Sequence, residues 1–274
     1  MASYTGLSTY RKCPRLYGFG LLGYKPIETP EPLMTGQFVH AATAAHFRGT
    51  DWLEAIQVAG QQVIVRLEKL DDSSKQAKAL KELEASAKRA KELASRYIEH
   101  WAKDYTAPLV ETELKLGNVV CHVDLIAHYA EPEEQRVIVD YKTSKSPDMR
   151  WYDVSGQVDL YAHVLSNTLP RFWVPPGYDD TIKLVIYDVI SEEGIFRHIR
   201  PPRLEGGEKL FKSIQWLGIS DKTVKAVNNY EKYLYEPHFA FDCPNRCQFW
   251  LPCFLHETAD WSACQDYLEA NYLK

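Results

Sequence analysis

The 274-residue chain has no apolar run near the roughly 18 residues that a membrane span requires, so a membrane-embedded protein is excluded. It has no internal repeat and no low-complexity tract, and collagenous and wholly disordered architectures fall with them. It lacks a surplus of positive charge: 32 Lys and Arg stand against 37 Asp and Glu, for a net charge of −5. That balance argues against coating nucleic acid by bulk charge, because such binding rests on cations meeting phosphates, and it leaves room only for a local basic track. The N-terminus shows no basic-then-apolar leader, which sets the expectation of a cytoplasmic protein without a membrane partner. Six cysteines in such a setting do not form a disulfide framework.

What is present is ordinary globular material, 45% apolar and 25% charged. A chain of this length buries roughly three quarters of its unfolded surface and needs no covalent support. Apolar positions recur at three and four residues over Thr5–Gly20, Thr35–Arg48, Asp51–Lys69 and Ser74–Asp104, which predicts four helices, with a Pro-rich stretch from Pro26 to Pro32 between the first two. From Leu109 the pattern changes to β-branched runs, LVETELKL, NVVCHVDLIAHY and RVIVDYK, broken by Gly117-Asn118 and by EPEEQ. This predicts an antiparallel meander. A helix over Asp153–Asn167, strands over Ile182–Ile190 and Gly194–Arg200, and a helical, Cys-rich C-terminal part complete the expectation. The whole reads as one α/β domain: a helical part over 1–108, a core of mixed sheet flanked by helices over 109–200, and the remainder over 201–274.

The most informative stretch is VCHVDLIAHYAEPEEQRVIVDYKTSK. One strand carries Asp124 and the next ends in Asp140-Tyr141-Lys142, so two carboxylates converge at a sheet edge beside an ammonium. Hard divalent ions take one or two carboxylates plus a substrate phosphate. Lys142, two residues after Asp140, projects to the same face of an extended strand. There it can hold a water or stabilise charge on a phosphoryl oxygen. By itself Asp-x-Lys is also an ordinary way to end a strand.

In its company, the chain resembles the PD-(D/E)XK nuclease superfamily, in the RecB and AddAB-type branch that includes the CRISPR-associated adaptation exonucleases. The resemblance rests on LSTYRKCPRLYGF, with its Cys13-Pro14-Arg15 step, and on TGQFVHAATAAHF, with Gly36 and His40. Asp124, VIVDYKT and GQVDLYAHVL follow in family order. It implies a restriction-endonuclease-like core. It also implies Mg²⁺ or Mn²⁺ held by His40, Asp124, Asp140 and the Tyr141 carbonyl, with Lys142 positioning the attacking water. Gln157 and Tyr161, one helical turn apart, would contact the DNA phosphate or orient Lys142. The implied activity is exonucleolytic cleavage of single-stranded DNA ends to a 5′-phosphate and a 3′-hydroxyl, in repair, recombination, CRISPR adaptation or phage DNA processing. A non-catalytic DNA-binding iron–sulfur subunit of a repair or recombination complex is the alternative.

Cys243, Cys247 and Cys253 cluster near the C-terminus while Cys13 stands far away, and no paired knuckle completes a local zinc finger. The same resemblance implies a [4Fe–4S] cluster on these four thiolates, stapling the C-terminal segment to the first helix. Three residues separate Cys243 from Cys247 where the family commonly has two, so Zn²⁺, or Cys264 as a ligand, stays open. Cys121 and Cys264 otherwise read as buried thiols.

Three small basic groups are candidates for a DNA track: Arg11, Lys12 and Arg15; Lys145 and Arg150; and Arg197, Arg200 and Arg203. Trp151, Tyr152 and Phe196 lie among them, placed to stack on unpaired bases. Leu125-Ile126 follows Asp124 where the family often has a basic residue. Glu111 and Glu113 are equivalent candidates for a supporting acid, and His122 reads as surface or packing.

Overall fold

Pro14 divides the N-terminal periodic segment, because the residue before a proline is driven out of helical geometry while proline itself suits a helix's first turn. In a computed structural model, Cys13 is accordingly extended (φ −160°) between α1 (Tyr4–Lys12) and α2 (Pro14–Leu21), where one helix was expected. The structure describes residues 2–26, 29–69, 73–129, 135–145, 149–150, 152, 155–168, 182–226, 268 and 272–273. Ser3 caps α1 by accepting from the Gly6 N–H at 3.2 Å. Cys13 Sγ does the same for α2, accepting from the Leu16 N–H at 3.5 Å.

A two-residue strand, β1 (Lys25–Pro26), precedes α3 (Glu31–Phe47), which begins inside the Pro-rich stretch, four residues before its expected start. Pro32 sits in its first turn, where a missing N–H is harmless. α4 (Trp52–Leu67), capped by the Asp51 carboxylate, and α5 (Ser73–His100) follow, the latter ending in a single 3-10 turn over Ala102–Asp104. Then come β2 (Tyr105–Leu116), β3 (Val119–Tyr129), β4 (Gln135–Thr143), α6 (Gln157–Thr168), β5 (Leu184–Ile190), β6 (Ile195–Arg200) and α7 (Leu204–Ala226). No helix among the described residues is long and apolar enough to cross a membrane.

β2 to β6 form a sheet in sequence order. All neighbours are antiparallel except β4 and β5, which are parallel and therefore need the crossover that carries α6. α3, α4 and α5 cover one face, packing Phe38, Val63, Leu83 and Leu93 on Leu125, Val137, Val139, Tyr141 and Ile186. α1, α6 and α7 cover the other, packing Leu7, Leu160, Val164, Ile214 and Leu217 on Val123, Ile138, Val185 and Val189. The mixed sheet flanked by helices is the architecture the sequence pattern predicts.

The alternation of faces is broken near the middle of β2 and β3, in addition to a register shift of β2 between Thr106 and Leu109. On β3, Val119, Cys121 and Val123 face the α6 side, whereas Leu125 and Ala127 face the α3 side. On β2, Leu114 and Leu116 face α6, as does Leu109 beyond the break. The residue of β2 at the switch is Glu111, in left-handed geometry at φ +48°. Such irregularities re-aim side chains, and this one turns Glu111 and Asp124 toward the same point.

The chain's end returns to its beginning: β7 (Tyr272–Leu273) pairs antiparallel with β1, and Leu268 is buried against Phe19 and Tyr24. Cys243, Cys247, Cys253 and Cys264, and with them the proposed metal-closed segment, lie outside the described residues, as does Trp151.

Candidate active site

The β3–β4 ladder runs from Tyr129↔Gln135 to Leu125↔Val139. One step beyond it, the Tyr141 N–H donates to Asp124 Oδ2 at 2.8 Å, so the side chain of one strand takes over where its backbone leaves off. The Tyr141 carbonyl in turn accepts from His40 Nε2 at 3.0 Å. The other ring nitrogen, Nδ1, lies 3.5 Å from Asp124 Oδ1. The Tyr141 carbonyl, an expected ligand, is thus engaged by the histidine.

His40 reaches this position because α3 lies close over the end of β4. A β-carbon on Gly36, one turn earlier, would stand 2.9 Å from Thr143 Oγ1, so a larger residue there would push either that side chain or α3 aside.

Donor atoms of His40, Glu111 and Asp124 all lie within 4.8 Å of one another. Burial opposes charge on Asp124 and on His40 alike. Their mutual hydrogen bond and attraction win, lowering the Asp124 pKa and raising that of His40. Glu111 is held above the usual carboxylate range by partial burial and by the charge of Asp124. Two carboxylates held close despite their mutual repulsion, beside an imidazole, fit a divalent cation. The fit is better for Glu111 than for Asp140, which stands outside the 4.8 Å group.

Asp140 is 1% exposed and serves the lysine: Lys142 Nζ lies 2.5 Å from its Oδ2. Burial pushes the Asp140 carboxyl up to about 6 against the pull of Lys142, with Asp124 adding to the rise. Burial also works against charge on Lys142, but Asp140 and Asp124 outweigh it and keep the ammonium protonated. Gln157 Nε2 donates to the Tyr161 hydroxyl at 2.6 Å. Tyr161 is buried within the field of Asp140, so this pair lies behind the Asp140–Lys142 couple. Tyr152, whose ring centroid is 4.8 Å from that of Tyr187, lies within the field of Lys142 on the same side.

These groups open into a cleft of about 770 Å³ whose floor is one face of α3, from Leu33 through Gly36, His40 and Ala44 to Arg48. Glu111, Tyr141 and Lys142 form its other wall.

The basic residues divide sharply. Arg11, Lys145 and Arg150 are exposed, as a surface track requires. Arg15 is not: it lies on the buried face of α2, 0% exposed, which removes it from any surface contact with a strand. Of the expected Arg197, Arg200 and Arg203 group, the first two are internal, while Arg203 is exposed but held by an internal acid. Arg197 binds Asp188 and Asp104, each at 2.6 Å, under the rings of Trp101 and Tyr105. Arg200 and Arg203 both clasp the buried Asp159, at 2.7 Å.

Glu111 is the residue that sequence reasoning left undecided. The tight Gly117-Asn118 turn, closed by the Leu116↔Val119 pair, sets a register that brings Glu111 opposite Asp124 and leaves Glu113 opposite His122. Glu113 accordingly pairs with Lys115 and His122 on the exposed surface. Arg48, at the far end of the cleft, carried no sequence signal.

No curated protein matches the chain. A family model does, from residue 1 to residue 253, and it spans every group described above except the C-terminal return. The chain belongs to the PD-(D/E)XK nuclease superfamily.

Proposed function

We propose that the protein is a Mg²⁺- or Mn²⁺-dependent deoxyribonuclease acting as an exonuclease on single-stranded DNA ends. The observation that carries this reading is the convergence of His40, Glu111 and Asp124 within 4.8 Å, beside a charged Lys142, on an open cleft. His40, Asp124 and Glu111 would hold the ion, with Asp140 close by. The ion supplies charge stabilisation at the phosphoryl oxygens and a more acidic water.

The protein's own groups do the positioning. Asp140 aims the Lys142 ammonium into the cleft, where it orients a water and meets negative charge on the phosphoryl group. The hydrogen-bonded Gln157–Tyr161 pair would contact the DNA phosphate or orient Lys142. An unpaired strand suits the cleft because its floor is largely apolar, accepting bases, while Arg48 and Lys142 meet phosphates.

The [4Fe–4S] cluster on Cys13, Cys243, Cys247 and Cys253 belongs to the same proposal. It is supported by the buried position of Cys13 at the head of α2 and by the return of the chain's end to that helix. Placement in repair, recombination, CRISPR adaptation or phage DNA processing, with their protein partners, follows from the resemblance.

The test is degradation of end-labelled single-stranded and duplex DNA with Mn²⁺, Mg²⁺ or EDTA, beside Lys142→Ala. Metal-dependent loss of label from single strands, absent in the variant, is expected. A folded wild-type protein that leaves DNA intact in Mn²⁺ sinks the enzymatic reading in favour of a non-catalytic DNA-binding subunit.

A further inference from the structure

Beyond the end of β4 the cleft continues into a side chamber of about 30 Å³, room for a water or a single phosphate oxygen. Pro32 and Thr143 line both spaces, so the chamber adjoins the site already described. Thr35 of α3, Arg89 and Leu93 of α5, and Ser144 and Lys145 complete its wall.

Thr35 is 2% exposed, and among the described residues its Oγ1 has no hydrogen-bond partner. A helical threonine ordinarily bonds the carbonyl four residues earlier. Here that carbonyl, of Glu31, accepts from Ser86 Oγ instead, at 3.3 Å. A buried hydroxyl left in this state weakens the fold unless something outside the chain satisfies it.

The charges show what that something is. Arg89 is already balanced by Glu31 at 3.4 Å and Glu192 at 2.9 Å. Lys145 is exposed and makes no ion pair among the described residues. The chamber is therefore lined by three hydroxyl-bearing residues, Thr35, Thr143 and Ser144, beside an ammonium with no ion pair among the described residues, a combination suited to an anionic oxygen. Lys145 lies three residues past Lys142, at most roughly 10 Å along the chain, which is the reach of a neighbouring phosphate and not of the scissile one.

We infer that this chamber receives an oxygen of the phosphate adjacent to the scissile phosphate, with Thr35 Oγ1 donating to it and Lys145 balancing its charge. The inference rests on the nuclease reading and adds to it a second point of register, which fixes the strand along α3.

Fluorescence anisotropy of a labelled single strand in EDTA reads binding without cleavage. Lys145→Ala should weaken binding about fivefold and reduce the slope of log K against log salt by about one. Thr35→Val should weaken binding about threefold while leaving thermal stability equal or higher, because the lost hydroxyl had no partner in the chain. Thr35→Ser should restore binding. Wild-type affinity in both Lys145→Ala and Thr35→Val would show that the chamber holds only water, overturning the subsite while the nuclease reading stands. A drop in stability for Thr35→Val without loss of affinity overturns it equally, by giving the hydroxyl a structural role. Failure of the wild-type protein to bind single strands overturns both readings.

Discussion

Glu111 combines backbone strain with electrostatic strain. Its φ of +48° is unfavourable for any residue with a β-carbon, by about 1 kcal/mol or more. Partial burial and the neighbouring Asp124 make its ionised form less favourable still. Strain of this kind persists where its surroundings over-determine it, and here it turns the carboxylate toward Asp124 and His40. Glu111→Gly removes both strains. It is expected to raise stability by about 1 kcal/mol, a rise of about 2 °C in Tm for a chain of this size. At the same time Mn²⁺ affinity, measured by calorimetry, should fall tenfold or more. A glycine variant that binds Mn²⁺ as tightly as wild type would remove Glu111 from the ligand set. Composition does not distinguish Glu111 from Glu113. The distinction lies in the register of a turn six residues away, legible in Gly117-Asn118 only to a reader who counts outward from it.

At the scale of elements, periodicity located nearly every helix and strand because apolar residues repeat wherever one side of an element is covered. It failed where local chemistry overrules the pattern. Pro14 splits one predicted helix, and Pro32, which looks like a break in the sequence, stands in the first turn of α3 and marks a start. Asp140 and Lys142 were legible as a pair, since two residues along a strand share a face. Their assembly with His40 is implied only by the family resemblance and not by any local pattern, because it depends on how closely α3 settles on β4. Gly36 controls that distance. Gly36→Ala should leave stability unchanged or slightly higher, as alanine favours the helix by about 1 kcal/mol. The cleavage rate should nevertheless fall at least tenfold as His40 is displaced from Tyr141 and Asp124, since small misplacements at a reacting centre carry large penalties. Combining it with Thr143→Ala, which removes the obstructing atom, should restore part of the rate. Additive losses in that double-mutant cycle would show that the two positions do not communicate.

Across the whole molecule, the arginines of β6 and of the segment after it tie layers together, and the sequence hid this because their partners lie far away along the chain. Arg197 and Asp104 are 93 residues apart, and Arg200 and Asp159 are 41 apart. Read in isolation, FRHIRPPR is a basic patch. In the fold it is a set of internal clamps, one joining β5 and β6 to the turn before β2, the other joining β6 and α7 to α6. Asp159 is the exposed flank of neither layer: it is 1% exposed and receives both Arg200 and Arg203. Burial alone would raise its pKa, but the two guanidiniums and the Arg203 N–H outweigh burial and lower it. A carboxylate depressed in the folded state contributes stability that is fully present above its unfolded value of about 3.9 and is lost as pH falls through the lower folded value. Acid unfolding below about pH 4 should therefore draw on this clamp. Asp159→Asn leaves two arginines facing a neutral amide, so it is expected to lose roughly 3 kcal/mol at neutral pH. Because asparagine does not titrate, the difference between wild type and variant should shrink steadily as pH falls below 4. Chemical denaturation of both proteins from pH 3 to pH 7 measures that difference directly, and a gap that stays constant over the range would mean that the clamp is not held by charge.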